Sequence, residues 1–157
     1  MAKLDSPFIV RKVTEGNFEH FLGLIDRLAE YEKLSPPDEE AKRRLRADCL
    51  WDTPKFEAFM GELNGEYIGY VIYFFTYSSF LALPTLYIED IFVLESCRRR
   101  GIGQKMLDEC KAIAKQAGCG RIEFTVLQWN NSAQAFYEKN GAKRLDWYLY
   151  RLVGKDL

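Results

Sequence analysis

The chain has 157 residues, enough for one domain that buries its own core without disulfide or metal support. Almost half the residues are hydrophobic and 15% are aromatic, which excludes disorder over most of the length. A formal charge of −1 argues against a dedicated nucleic-acid binder, which carries a clear basic excess.

The first residues, MAKLDSPF, are polar and lack the apolar centre of a secretory leader. No later segment has the apolar length needed to cross a bilayer. Cys49, Cys97, Cys110 and Cys119 show no metal-ligand spacing, and there is one histidine. The expectations are a cytoplasmic protein with reduced thiols, no metal, no membrane partner and no nucleic-acid partner.

In chain order, Phe8 to Val13 reads as a strand and Thr14 to Asn17 as a turn. Phe18, Phe21, Leu22, Ile25, Leu28 and Ala29 recur at helical spacing, with His20 and Asp26 off that stripe. His20 reads as a solvated or locally paired side chain. Ser35-Pro36-Pro37-Asp38 breaks the helix. The acids Asp38 to Glu40 followed by Lys42, Arg43 and Arg44 then suit a second, solvated helix. Two β-rich runs, Phe56 to Leu63 and Tyr67 to Phe75, flank Asn64-Gly65, a strong hairpin signal. Thr76 to Pro84 reads as a loop. Leu86 to Val93 is a strand, and a helix follows from about Ile102 to Ala117, stopped by Gly118-Cys119-Gly120. Arg121 to Leu127 is a fifth strand. Ser132 is the expected cap of a short helix reaching Asn140, and Leu145 to Val153 closes the chain as one strand or two. The order predicts one α/β domain over residues 1–157, with helices on both faces of a mixed sheet.

Two places carry chemistry. The strand LYIEDIFV is apolar apart from Glu89 and Asp90, and charge in such a strand is expensive unless it serves a purpose. Five residues on comes Arg98-Arg99-Arg100-Gly101-Ile102-Gly103, opening a helix whose unpaired N–H groups and dipole favour an anion. GxxxxGK[ST] is absent, and Gly103 is followed by Gln104, Lys105 and Met106, so GxGxxG is absent too. What remains is RxxGxG: a phosphate cradle beside a carboxylate, which suggests an enzyme using a phosphate-bearing cofactor. Along a regular strand Tyr87, Glu89 and Ile91 share one face, and Ile88, Asp90 and Phe92 the other. Glu89 and Asp90 therefore reach one pocket only through a bulge. The alternative is a structural carboxylate paired with Arg11 or Arg121. Further on, Phe136-Tyr137-Glu138-Lys139-Asn140-Gly141-Ala142 runs a short helix into a glycine stop. Acyl transfer to an amine needs a base for the ammonium proton and an acid for the leaving thiolate. With one histidine in the chain, Glu89 is the available base and Tyr137 the natural acid, unless Tyr137 is a plain core tyrosine.

RxxGxG followed by FYxxxGA resembles the GCN5-related N-acetyltransferases. Leu28-Ala29-Glu30-Tyr31-Glu32, Tyr73-Phe74-Phe75-Thr76-Tyr77, Tyr87 to Val93, and Trp129-Asn130 look like the spermidine/spermine N-acetyltransferase branch, so the resemblance covers nearly the whole chain. It implies that family's mixed, mostly antiparallel sheet, with acetyl-CoA as cofactor and coenzyme A as product. It implies Glu89 as a water-mediated base and Tyr137 as the acid. The pantetheine arm would lie along Ile91, Phe92 and Val93, and the pyrophosphate against Arg98, Arg99, Arg100, Gly101, Ile102, Gly103 and Gln104, with Asn130 near the cofactor. Tyr31, Glu32, Asp90 and Trp147 would line the pocket for a small primary amine, in a homodimer. Polyamine-acetylating members have an acid and a tryptophan where this chain has Ser78 and Phe80. The serine looks more like the sister group that acetylates thialysine, so polyamines and other diamines or amino-acid amines stay open. Two further readings stay open: acetylation of a protein lysine or N-terminus, and a non-catalytic acetyl-CoA-binding module.

Overall fold

A computed structural model describes residues 7–157, so the polar N-terminal stretch lies largely outside the described residues. The chain forms two compact units, one ending at Phe124 and one spanning Thr125–Leu157.

The first unit is built on five strands: β1 (Phe8–Lys12), β2 (Glu57–Leu63), β3 (Glu66–Ser78), β4 (Leu83–Val93) and β5 (Arg121–Phe124). They lie in the order β1-β2-β3-β4-β5, antiparallel except for the parallel β4–β5 pair. Three helices accompany them: α1 (Phe18–Glu32), α2 (Glu39–Leu50) and α3 (Ile102–Gln116). The expected α/β architecture with a mostly antiparallel sheet is borne out.

Strand alternation sends neighbouring residues to opposite faces, and the glycines of β2 and β3 reveal which helix covers which face. Met60, Tyr70, Ile72 and Phe92 form one core with Phe18, Phe21 and Leu22 of α1. Gly61 and Gly69 point the other way, and a Cβ on either would meet the sulfur of Met106 in α3. So α1 and α3 cover opposite faces. The apolar stripe of α1 is the one the sequence shows, ended by Lys33 in a left-handed conformation. Asp38 caps α2 by accepting the N–H of Ala41 at 2.8 Å. The charges of α2 do more than solvate it: Lys42 pairs with Asp26, and Arg46 pairs with Glu15 and Glu19, tying α2 to the start of α1.

Three expectations about strands and loops need correction. Thr76 to Pro84 is not a loop: β3 runs on to Ser78, β4 begins at Leu83, and only a short turn joins them. The Ser78 hydroxyl accepts the Leu81 N–H at 3.2 Å, and Ala82 takes a left-handed conformation, so the tip closes without the glycine that usually marks it. The fifth strand ends at Phe124 rather than Leu127, because Phe124 lies opposite Ile88, where β4 stops offering a regular edge. Leu145 to Val153 forms no strand. Its side chains stay largely exposed, Tyr148 at 86% and Tyr150 at 88%, and β propensity alone makes no strand where no ladder forms.

The second unit holds α4 (Asn131–Lys139) and the C-terminal segment. Its cap is Asn130, whose side-chain oxygen accepts the Ala133 N–H at 3.2 Å, in place of the expected Ser132. Gly141 takes φ 88°, the left-handed stop read from the sequence.

Gly69 lets β3 lie close against β4 where a side chain would not fit. A Cβ there would stand 2.5 Å from the main-chain oxygen of Phe92. Gly69→Ala is expected to cost roughly 1–3 kcal/mol of unfolding free energy, as overpacking against backbone does. Denaturant melts check this, and an unchanged midpoint would refute the close packing of β3 on β4.

Candidate functional site

The site begins with a break in register. On the β3–β4 ladder Asp90 lies opposite Ile72 but Ile88 lies opposite Tyr73, so Glu89 is an extra residue with no cross-strand partner. This is a β-bulge, which bends and twists the strand that carries it. Tyr73 stands on the α3 side, with its ring 6.4 Å from that of Phe59, while Ile72 belongs to the α1 core. Ile88 and Asp90 therefore take opposite faces, although two residues apart. The bulge that the sequence requires for both carboxylates to reach one pocket is present, at Glu89.

The bulge also opens an edge. The ladder between β4 and β5 covers Thr85 to Ile88 and ends there. Beyond it, no strand among the described residues lies beside the main chain of Glu89 to Val93 on that side. Such an edge presents unpaired N–H and C=O groups to an extended ligand.

Asp90 lies on the α1 side. Its Oδ2 accepts the hydroxyl hydrogen of Tyr70 at 3.1 Å. Burial pushes its carboxyl up to about 6; the Tyr70 bond works in the other direction, and the negative charges of Glu89 and Glu32 add to the rise. Burial likewise raises the Glu32 carboxyl. Those same charges act on Tyr70, so Glu32, Glu89, Asp90 and Tyr70 form one electrostatic neighbourhood. No ion pair reaches these acids among the described residues. Arg11 pairs with Glu62 and Arg121 with Glu123, which disposes of the structural-carboxylate alternative.

Arg98 is half-buried. Its guanidinium stands 4.3 Å over the Tyr31 ring and 5.7 Å over Phe92, and its Nε donates to the Val93 carbonyl at 3.0 Å. That contact fastens the start of the glycine loop to the end of α1. Arg99 and Gly101 then adopt φ 60° and 79°, and α3 begins without a side-chain cap. A left-handed conformation costs an arginine roughly 1–2 kcal/mol, so this turn is held against a local preference. The first N–H groups of α3, at Ile102, Gly103 and Gln104, have no intrahelical acceptor. Open main chain, an uncapped helix start and the exposed Arg99 fit a phosphate-bearing ligand.

The structure thus gathers Tyr31, Glu32, Glu89, Asp90, Ile91, Phe92, Val93 and the Arg98–Gln104 loop in the first unit. Asn130, Tyr137 and Trp147 belong to the second. There Asn130 spends its side-chain oxygen on the α4 cap, Tyr137 is buried with its ring edge-on to Phe136, and Trp147 is 79% exposed. Sequence reading missed Tyr70. Its signal was present, since a tyrosine among the apolar residues of a buried strand needs a partner for its hydroxyl. Ser78 is buried and committed to its turn, whereas Phe80 is fully exposed.

An uncapped helix start, an open strand edge and acids without an ion pair among the described residues suit an enzyme that uses a phosphate-bearing ligand. Comparison with known proteins agrees. The Acetyltransferase (GNAT) family model matches residues 25–142. The thialysine N-epsilon-acetyltransferase of Bos taurus is 34% identical, over 94% of this chain and 93% of that protein. The L-ornithine N5-acetyltransferase of Arabidopsis thaliana is 41% identical, over 71% of this chain and 50% of its own length. An integron cassette protein of V. cholerae matches in structure with a TM-score of 0.81 at 20% identity, covering 95% of this chain and 94% of that one. The chain belongs to the acetyltransferase (GNAT) family and is an N-acetyltransferase. The resemblance to the spermidine/spermine branch, with its thialysine-acetylating sister group, is borne out.

Asp90 gives a stability prediction. Its carboxyl titrates higher folded than unfolded, so its ionisation opposes folding: the penalty is absent below about pH 4 and complete above about pH 6. Asp90→Asn keeps an oxygen for Tyr70 and removes the charge. It is expected to stabilise the protein by up to about 3 kcal/mol at pH 8 and by nothing near pH 3.5. Denaturant melts at the two pH values test this; an equal effect at both would refute a buried, titrating Asp90.

Proposed function

We propose that this enzyme moves the acetyl group of acetyl-CoA directly to a primary amine of a small diamine, polyamine or thialysine-like amino acid. The observation that carries this reading is the bulge at Glu89, which joins an open strand edge to a set of carboxylates without cations. Acetyl-CoA, when bound, supplies an acetyl group activated as a thioester. Main chain at Ile91 and Val93 would hold the pantetheine arm as an added strand. Arg99, Arg100 and the N–H groups from Gly101 to Gln104 would hold the pyrophosphate. Tyr31, Glu32 and Asp90 attract and orient the acceptor ammonium. Glu89, exposed and unpaired in the ladder, takes the ammonium proton through water, since a protonated amine has no lone pair to attack with. As the C–N bond forms and the C–S bond breaks, the thiolate takes a proton. Tyr137 is proposed as its donor on the strength of the FYxxxGA motif.

Support for a small acceptor comes from the relatives named for thialysine and L-ornithine. The buried Ser78, tied to its turn, gives no independent vote between polyamine and amino-acid acceptors. A panel of diamines, polyamines, lysine analogues and lysine peptides, followed by thiol release from acetyl-CoA, tests the proposal. Turnover restricted to peptides would replace it with protein acetylation, and binding of acetyl-CoA without any turnover would replace it with a regulatory module.

The proton steps are separable. Tyr137→Phe is expected to lower kcat by about 10²-fold or more, with acetyl-CoA affinity near wild type, as loss of a general acid does. Glu89→Gln should show a deficit that shrinks as pH rises toward the amine's own pKa, because more amine arrives already deprotonated. Both variants retaining over about half of wild-type kcat/KM at neutral pH would remove these roles.

We also propose a homodimer. The C-terminal segment carries Trp147, Tyr148, Leu149, Tyr150 and Leu152, all strongly exposed, which supports burial against a second copy. Sedimentation at micromolar concentration should give twice the chain mass. A monomer at all concentrations would end the idea.

A further inference from the structure

We propose that Tyr70 is a positioning residue for the acceptor: its hydroxyl fixes the Asp90 carboxylate, ionised and aimed at a cationic group of the amine substrate, and so determines how acidic a medium the enzyme tolerates. This rests on the small-amine reading given above.

The geometry is restrictive. Tyr70 is fully buried, its ring edge-on to Phe21 at 5.5 Å and tilted against Phe92 at 6.2 Å. Rings packed on two sides leave the hydroxyl one place to go. A phenol that deep must find an acceptor, and it finds Asp90 Oδ2. On the ladder Tyr70 lies opposite Phe92 and Ile72 opposite Asp90, so the hydrogen bond crosses diagonally between adjacent pairs on one face. Without the bulge, residues 88 and 90 would share this face; with it, Asp90 keeps Tyr70 as partner while Ile88 turns to the α3 side.

The charged and titratable groups around Asp90 are Tyr70 from β3, Glu89 from β4 and Glu32 from α1. The two acids disfavour a charge on Asp90, and burial does so more strongly. Tyr70 is the group that opposes them. Burial drives its phenol far above the ordinary range, so it remains a donor at every working pH. A carboxylate accepts at several lone pairs, and one phenol occupies one of them. The rest stays available to an ammonium, whose attraction is lost when Asp90 is protonated.

The test is the pH dependence of kcat/KM for a diamine and for a monoamine of matched length, at saturating acetyl-CoA, in wild type, Tyr70→Phe and Asp90→Asn. Phenylalanine keeps the ring and its packing. For the diamine, Tyr70→Phe should lose about fivefold at pH 6 and less than about twofold at pH 8, with the loss in KM and not in kcat. For the monoamine the loss should be smaller, and Asp90→Asn should flatten the acid limb. Equal losses at both pH values would mean that Tyr70 only packs; an unchanged profile, or a loss confined to kcat, would overturn the proposal as well. If wild type acetylates no amine, the reading of function falls by itself. An NMR titration of the Asp90 carboxyl carbon then decides the hold of Tyr70: a higher midpoint in Tyr70→Phe sustains it, and an equal midpoint refutes it.

Discussion

One extra residue in one strand organises the site. A regular β4 would alternate its side chains without interruption, keep its ladder with β5, and send Glu89 and Asp90 to opposite faces. The bulge at Glu89 changes all three at once. It resets the alternation between Ile88 and Asp90, ends the pairing with β5 at Phe124, and leaves the main chain beyond Ile88 open on one side. An edge of that kind is normally a hazard, because it invites pairing with other chains. Under the function proposed above, the same unpaired groups would hold the extended carrier.

The second constraint is electrostatic. Burial, and then the charges of Glu89 and Glu32, raise the cost of ionising Asp90, and no cation among the described residues pairs with these acids. Arg98 spends its charge on two aromatic rings and on the carbonyl of Val93. Fastened there, it braces the turn in which Arg99 is strained, and it joins the loop to Tyr31 at the end of α1. Strain at the loop and uncompensated charge in the pocket both oppose folding. The apolar contacts of α1 and α3 on the two faces of the sheet must offset them, and such local costs collect where a ligand is to be bound.

Much of this was legible in the residues. The stripe on α1, the Asn64-Gly65 hairpin, the glycine loop and α3 all follow from local patterns, and local patterns survive in the structure. The failures share a cause. The strand rule of period two assumes an unbroken ladder, so it could state that a bulge was needed but could not locate one. Two serines and a proline between Thr76 and Pro84 look like a loop, yet cross-strand pairing carries β3 and β4 through them, and the Ser78 hydroxyl closes the turn. Leu145 to Val153 has the composition of a strand, but composition does not supply a neighbouring edge. Tyr70 was passed over because an aromatic residue in a buried strand reads as packing until its hydroxyl is followed to Asp90.

Adjacent carboxylates with different surroundings can divide one reaction between them. Glu89, pushed out of the ladder, is exposed, and a base that relays a proton through water requires that access. Asp90, one residue on, is mostly buried and bonded to a phenol, where a charge attracts an ammonium more strongly because less water screens it. Exchanging the two environments would defeat both of the roles proposed above, since a buried base would lose its water and a solvated anchor would lose its field. The bulge allows consecutive residues to occupy both environments, so the acid pair is a consequence of backbone geometry as much as of side-chain chemistry.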